Sequence, residues 1–180
     1  FGLRLLRHHR LLLIGTPLLA IGQRLHLIPK RAGLSTLPIR FGAPIAPTST
    51  SPDVWLFTGC VMDAWQRSTH RSTAALIEAA GFSYGIPTKA GSCCGALHSH
   101  AGLAHEAQSL AKSVMTSMPG ANPIIVDSAG CGAALKDYGH LLGTPEAQAF
   151  SQRVFDIHEW LEPHMATIVQ SRQSESIDSL

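Results

Sequence analysis

Apolar residues along this chain change period several times, and each change marks an element. Val54-Trp55-Leu56-Phe57-Thr58 is a short apolar run closed by Gly59. Its length and its β-branched and aromatic content are those of a strand buried on both faces. From about residue 64 to residue 80 the spacing turns helical. Thr69, Thr73, Leu76, Ile77 and Ala80 share a face there, and Gly81 is the stop. Phe82-Ser83-Tyr84-Gly85-Ile86-Pro87 reads as a second, weaker strand, because Pro87 has no N–H to pair. Residues 100–118 carry a stronger amphipathic pattern. Leu103, Ala107, Leu110, Ala111, Val114, Met115 and Met118 recur three and four apart before Pro119-Gly120.

Pro123-Ile124-Ile125-Val126-Asp127 is a third buried strand, followed by a short helix to about Leu142. Thr144-Pro145-Glu146 is a helix start, with a capping residue and a proline in the first turn. Ala147, Phe150, Val154, Ile157 and Leu161 continue that spacing, so one helix is expected through Leu161. Before these elements, residues 1–28 are rich in Leu and Arg and read as helix, broken into a pair at Gly15 and Pro17. Residues 29–53 are a linker punctuated by Pro29, Pro38, Pro44, Pro47 and Pro52. The expected organisation is a helical connector and linker over 1–53, a domain over 54–165 and a polar tail over 166–180.

Strand, helix, strand, helix, strand predicts an α/β fold: a small parallel sheet with flanking helices, in a Rossmann-like βαβαβ order. In such a sheet the carboxyl ends of the strands lie on one edge, where these folds bind their ligands. All four cysteines fall there. Cys60 follows the first strand, Cys93 and Cys94 the second, and Cys131 the third. Each sits in glycine punctuation: Thr58-Gly59-Cys60, Cys94-Gly95 and Gly130-Cys131-Gly132. The helices that follow aim free N–H groups and positive dipole ends at the same edge, which suits an anionic group.

Four thiols at one edge admit an iron–sulfur cluster, a zinc site, or buried and redox-active thiols. Structural zinc favours close CxxC knuckles, and none is present. Disulfides need an oxidising compartment, and adjacent Cys93 and Cys94 would bond each other only with strain. His98 and His100 could ligate metal, relay protons or simply open a helix as polar residues. Lys136, Asp137 and Tyr138 read as a surface turn. A net charge of +2, with no interleaving of basic and aromatic residues, argues against a nucleic-acid partner. Leu11 to Ile21 follows Arg4, Arg7 and Arg10 as a signal peptide would, but no small-residue cleavage site follows and the run is too short to span a bilayer.

Cys60, then Cys93-Cys94-Gly95, then Gly130-Cys131-Gly132, with helices between, resembles the CCG or cysteine-rich domain. That domain occurs in heterodisulfide reductase, the small subunit of anaerobic glycerol-3-phosphate dehydrogenase, lactate-utilisation iron–sulfur proteins and the glycolate oxidase iron–sulfur subunit. Cys93-Cys94-Gly95-Ala96-Leu97-His98-Ser99-His100-Ala101-Gly102 looks most like the last of these. So does Ala129-Gly130-Cys131-Gly132-Ala133, with Lys136-Asp137-Tyr138-Gly139 after it. Many members close the motif with CxxC; Ala134 stands at its second position here, so a five-cysteine noncubane cluster is not expected.

The resemblance implies an iron–sulfur cluster of the 4Fe-4S type held by Cys60, Cys93, Cys94 and Cys131. Gly59, Gly95, Gly130 and Gly132 would give it backbone room, and His98 and His100 would stand behind the ligands. It implies an electron-transfer subunit of glycolate oxidase. FAD on a partner subunit would oxidise glycolate to glyoxylate, and electrons would pass to a membrane-associated acceptor from a cytoplasmic protein peripheral to the inner face of the membrane. A heterodisulfide-reductase-like or lactate-utilisation oxidoreductase subunit is an alternative, as is a structural or assembly domain without its own cluster. Such subunits also carry a ferredoxin-like region and a second CCG repeat. The chain, beginning at Phe1, is therefore expected to be a fragment around the first repeat.

Overall fold

The computed structural model describes residues 8–29, 36–87 and 93–170. Arg4, Arg7, Gly91, Ser92 and the polar residues from 171 onward lie outside the described residues. Four parallel strands, β1 (Val54–Phe57), β2 (Tyr84–Gly85), β3 (Ile124–Val126) and β4 (Val154–Asp156), form one sheet in the order β2-β1-β3-β4. The register sets Leu56 beside Ile125 and Phe57 beside Val126. Alternate side chains of these strands leave by opposite faces, so two cores form. Val54, Leu56 and Ile125 pack with Ala74, Ile77, Trp160 and Leu161. Phe57, Ile124 and Val126 pack with Ala111, Val114, Leu135, Tyr138 and Phe150.

Described in chain order, the helices are α1 (His9–Arg24), α2 (Cys60–Trp65), α3 (Arg67–Ala79), α4 (Ala96–His100), α5 (Ala104–Ser117), α6 (Ala129–Lys136), α7 (Tyr138–Leu142), α8 (Pro145–Gln152) and α9 (Ile157–Leu161). The α/β class and the parallel sheet are as the sequence predicts. The single helix expected from residue 145 through Leu161 is not: it stops at Gln152, and Val154–Asp156 pair with β3 as a fourth strand. Phe150, Val154 and Ile157 suit a helical stripe, but β3 offers an open edge and Val154 fills it. Asp156 then starts α9 with a capping box. Its carboxylate accepts from His158 N–H at 2.9 Å, and Glu159 accepts from Asp156 N–H at 2.9 Å.

The pair of helices expected before the linker is one helix that runs through Pro17. Pro17 costs a single hydrogen bond there, and the neighbouring Thr16 hydroxyl bonds back to the Leu12 carbonyl at 2.7 Å. This helix docks by its polar side. His9 meets Asp63 at 2.7 Å, Trp65 Nε1–H donates to Thr16 Oγ1 at 3.0 Å, and Gln23 Oε1 accepts from Leu37 N–H at 2.9 Å. Its apolar side faces outward, with Ile14 and Leu18 each 67% exposed.

The linker supplies Leu37 to the interior and bonds Thr48 to Tyr84 along the free edge of β2. Residues 166–170, expected in the polar tail, continue helical and bury Ile168 in the first core. The inward face of α3 is His70, Thr73, Ala74 and Ile77, shifted from the expected stripe in which Thr69 and Leu76 stood. The stretch expected as one helix over 100–118 is split. Gly102, at φ +73°, separates α4 from α5.

Candidate metal centre

Each cysteine stands where a strand gives way to a helix. Gly59, at φ +62°, turns the chain from β1 into α2, whose first residue is Cys60. A Cβ at Gly59 would lie 3.4 Å from Cys131 Sγ, so two of the three loops touch at this glycine. Cys131 is in the first turn of α6, after β3. Cys93 and Cys94 precede α4, which Gly95 starts in a left-handed conformation. Cys60, Cys93 and Cys94 are buried and Cys131 is half-buried; all four are free thiols.

The thiols form two hydrogen-bonded pairs. Cys94 donates to Cys131 across 3.3 Å, too far for a disulfide bond. Cys60 lies within hydrogen-bonding range of Cys93, and that partner, followed by burial, holds the Cys60 thiol up in pKa. Cys93 is pulled down to about 6 by the same bond first; burial opposes this, and the Gly95 N–H and nearby His98 assist it. Cys131 is lowered first by Cys94, and Cys94 is raised first by Cys131. The pairs also feel one another's charge, since Cys93 and Cys131 each raise Cys60. Backbone N–H groups of Val61, Gly95 and Ala96 favour the ionised forms of Cys60, Cys93 and Cys94 in turn.

The four candidate donors are all sulfur, which is the chemistry an iron–sulfur group requires. Among the described residues no three His, Cys, Asp or Glu side chains are gathered about a position for one metal ion. The thiols stand as two pairs instead. A cavity of about 300 Å³ opens beside Cys94 and is lined by Ser99, His100, Gly130, Asp137 and Tyr138.

The other predicted positions divide. His98 is 1% exposed and lies beside Cys93, whereas His100 is exposed at the cavity wall. A Cβ at Gly95 would press on the Ala107 carbonyl at 3.2 Å, so that glycine serves the α4–α5 contact. A Cβ at Gly130 would meet no described residue within 4 Å, and one at Gly132 would make ordinary contact with Val126. Neither position needs glycine for packing among the described residues.

Three buried groups have roles that the sequence pattern does not reveal. Tyr138, expected on a surface turn, is fully buried, and its hydroxyl donates to the Cys94 carbonyl at 2.8 Å. Asp127, at the end of β3, accepts from Thr73 Oγ1 at 3.1 Å and pairs with His70 Nδ1 at 2.7 Å. Its charge raises Cys131. The only available signals were a carboxylate closing an apolar strand and a histidine inside an otherwise helical stripe.

The fold is thus a parallel α/β sheet with four cysteines gathered at its carboxyl edge. Residues 54–136 match the cysteine-rich domain, CCG, and that segment belongs to the family. It is similar to a probable glycolate oxidase iron-sulfur subunit of Bacillus subtilis, with 35% identity over 72% of this chain and 30% of the relative. It is also similar to lactate utilization protein A of Geobacillus kaustophilus, with 31% identity over 56% of this chain and 42% of the relative. The glycolate oxidase iron-sulfur subunit of Escherichia coli is 27% identical over 55% of this chain and 25% of the relative. The chain thus spans well under half the length of these relatives. No solved structure matches it.

Proposed function

We propose that this chain holds an iron–sulfur centre in the electron-transfer subunit of a 2-hydroxy-acid oxidoreductase, glycolate oxidase in the first instance. The observation that carries the reading is the convergence of Cys60, Cys93, Cys94 and Cys131 from three loops on one buried, sulfur-only site. These four side chains would hold the group, of the 4Fe-4S type by ligand count, and when bound it supplies one-electron transfer. The residues around it tune that chemistry. Val61, Gly95 and Ala96 present N–H groups to the sulfurs, burial excludes water, and Tyr138 holds the Cys93-Cys94 loop against α7.

Oxidation of glycolate to glyoxylate belongs to a flavin-containing partner subunit, and electrons leave toward a membrane-associated acceptor. Among the described residues no helix is long and apolar enough to cross a membrane. A cytoplasmic chain bound peripherally to the inner membrane face accords with that. The names of the relatives support both glycolate and lactate, so the substrate class is a short 2-hydroxy acid.

The test is iron and acid-labile sulfide analysis of anaerobically purified protein, with EPR spectra before and after dithionite. About four of each per chain, lost in Cys94→Ser, is the expected result for a cysteine-ligated four-iron group. Stoichiometric zinc in place of iron, or no metal after anaerobic reconstitution, would overturn the reading.

A further inference from the structure

The His98 imidazole is nine-tenths buried and more, yet neither ring nitrogen has a hydrogen-bond partner among the described residues. A neutral imidazole carries one N–H donor and one acceptor, and burying both unsatisfied is unfavourable. Its position is not accidental to the loop. Gly95, at φ +85°, folds the chain back after Cys94, and Ser99 N–H bonds the Gly95 carbonyl at 2.9 Å. The first turn of α4 is thereby closed, and the His98 carbonyl is taken by Leu103 N–H at 2.9 Å. The ring is left beside Cys93, at a range where it draws the thiol pKa down by charge and as a hydrogen-bonding neighbour, yet neither ring nitrogen meets full hydrogen-bond geometry with any described residue. His100, two residues on, is exposed and has no such constraint.

We propose that His98 is the specific hydrogen-bond donor to the Cys93 sulfur of the loaded centre, a positioning and tuning residue and not a ligand. This rests on the iron–sulfur reading above. The orphaned N–H is the reason for a donor role: four thiolates would already complete the ligand set, and a ligated sulfur beside the ring would accept what no other described residue accepts. A donor to a thiolate stabilises the more negative, reduced state of the centre, so His98 raises its reduction potential.

The test compares wild type, His98→Leu and His98→Gln in this chain, purified anaerobically. Iron and sulfide content, the EPR-monitored midpoint potential and the proton hyperfine couplings in H₂O and D₂O are measured for each. Wild type lacking iron and sulfide overturns the iron–sulfur reading itself, before any variant is compared. With iron present, His98→Leu is expected to retain it, to titrate at a more negative potential and to lose one exchangeable proton coupling. His98→Gln, which keeps a side-chain N–H, is expected to recover part of both. An unchanged potential with all exchangeable couplings retained in His98→Leu overturns the donor role. So does a strong nitrogen coupling in wild type together with iron loss in His98→Leu, which would make the ring a ligand.

Discussion

The hydroxyl of Tyr138 donates to the backbone carbonyl of Cys94 at 2.8 Å, inside the core, and ties α7 to the loop that carries two of the four thiols. The ring stacks on Phe150 at 5.7 Å between centroids. Tyr138→Phe keeps that stacking and leaves a buried carbonyl unpartnered. It is expected to cost about 1–3 kcal/mol in urea denaturation. In the same variant, Cys93 and Cys94 should be alkylated faster in the metal-free protein, because their loop has lost its anchor.

Gly59 and Gly130 flank cysteines equally in sequence but not in space. Gly59→Ala forces a side chain into a left-handed backbone and against Cys131 Sγ. A loss of about 1–2 kcal/mol is expected, with lower iron content after reconstitution. Gly130→Ala meets open space in a helix. It should be neutral or stabilising by up to about 1 kcal/mol. Equal effects of the two in denaturation and iron analysis would refute this distinction.

His70 and Asp127 are each nearly inaccessible and bond at 2.7 Å. Removing one partner strands the other. His70→Leu is expected to destabilise by about 3–5 kcal/mol, and the double variant His70→Leu/Asp127→Leu to recover much of that. Guanidinium denaturation of the single and double variants measures the coupling.

Asp63 links α1 to α2. Burial pushes its carboxyl up, but hydrogen bonds from His9 and Arg67 outweigh this and hold it below its ordinary value of 3.8. A carboxylate lowered in the folded state contributes stability above its unfolded pKa and loses it as pH falls through the folded value. The α1–α2 contact should therefore be stable near neutrality and weaken below about pH 4. Tryptophan emission, followed with Trp65 alone retained, reports it: the acid transition should vanish in Asp63→Asn.

Much of the site was legible because thiols carry their chemistry in their type. Four cysteines, each after an apolar run and within glycine punctuation, point to one sheet edge without any distance being known. The fourth strand was not legible, because Phe150, Val154 and Ile157 satisfy a helical stripe and a strand face alike. The open edge of β3 decided between them. The continuity of α1 across Pro17 was likewise decided by its contacts with Asp63 and Trp65.

The sequence by itself determined the α/β class, the parallel order of the first three strands and which side chains could hold a metal group. Those depend on local period and residue type. Only the tertiary structure decided that Tyr138 is inside, that His70 and Asp127 form a pair, and that His98 is buried beside Cys93 while His100 is not. Burial and hydrogen bonding depend on what other segments bring to a position, and those partners stand 44 residues from Tyr138 and 57 from His70 along the chain.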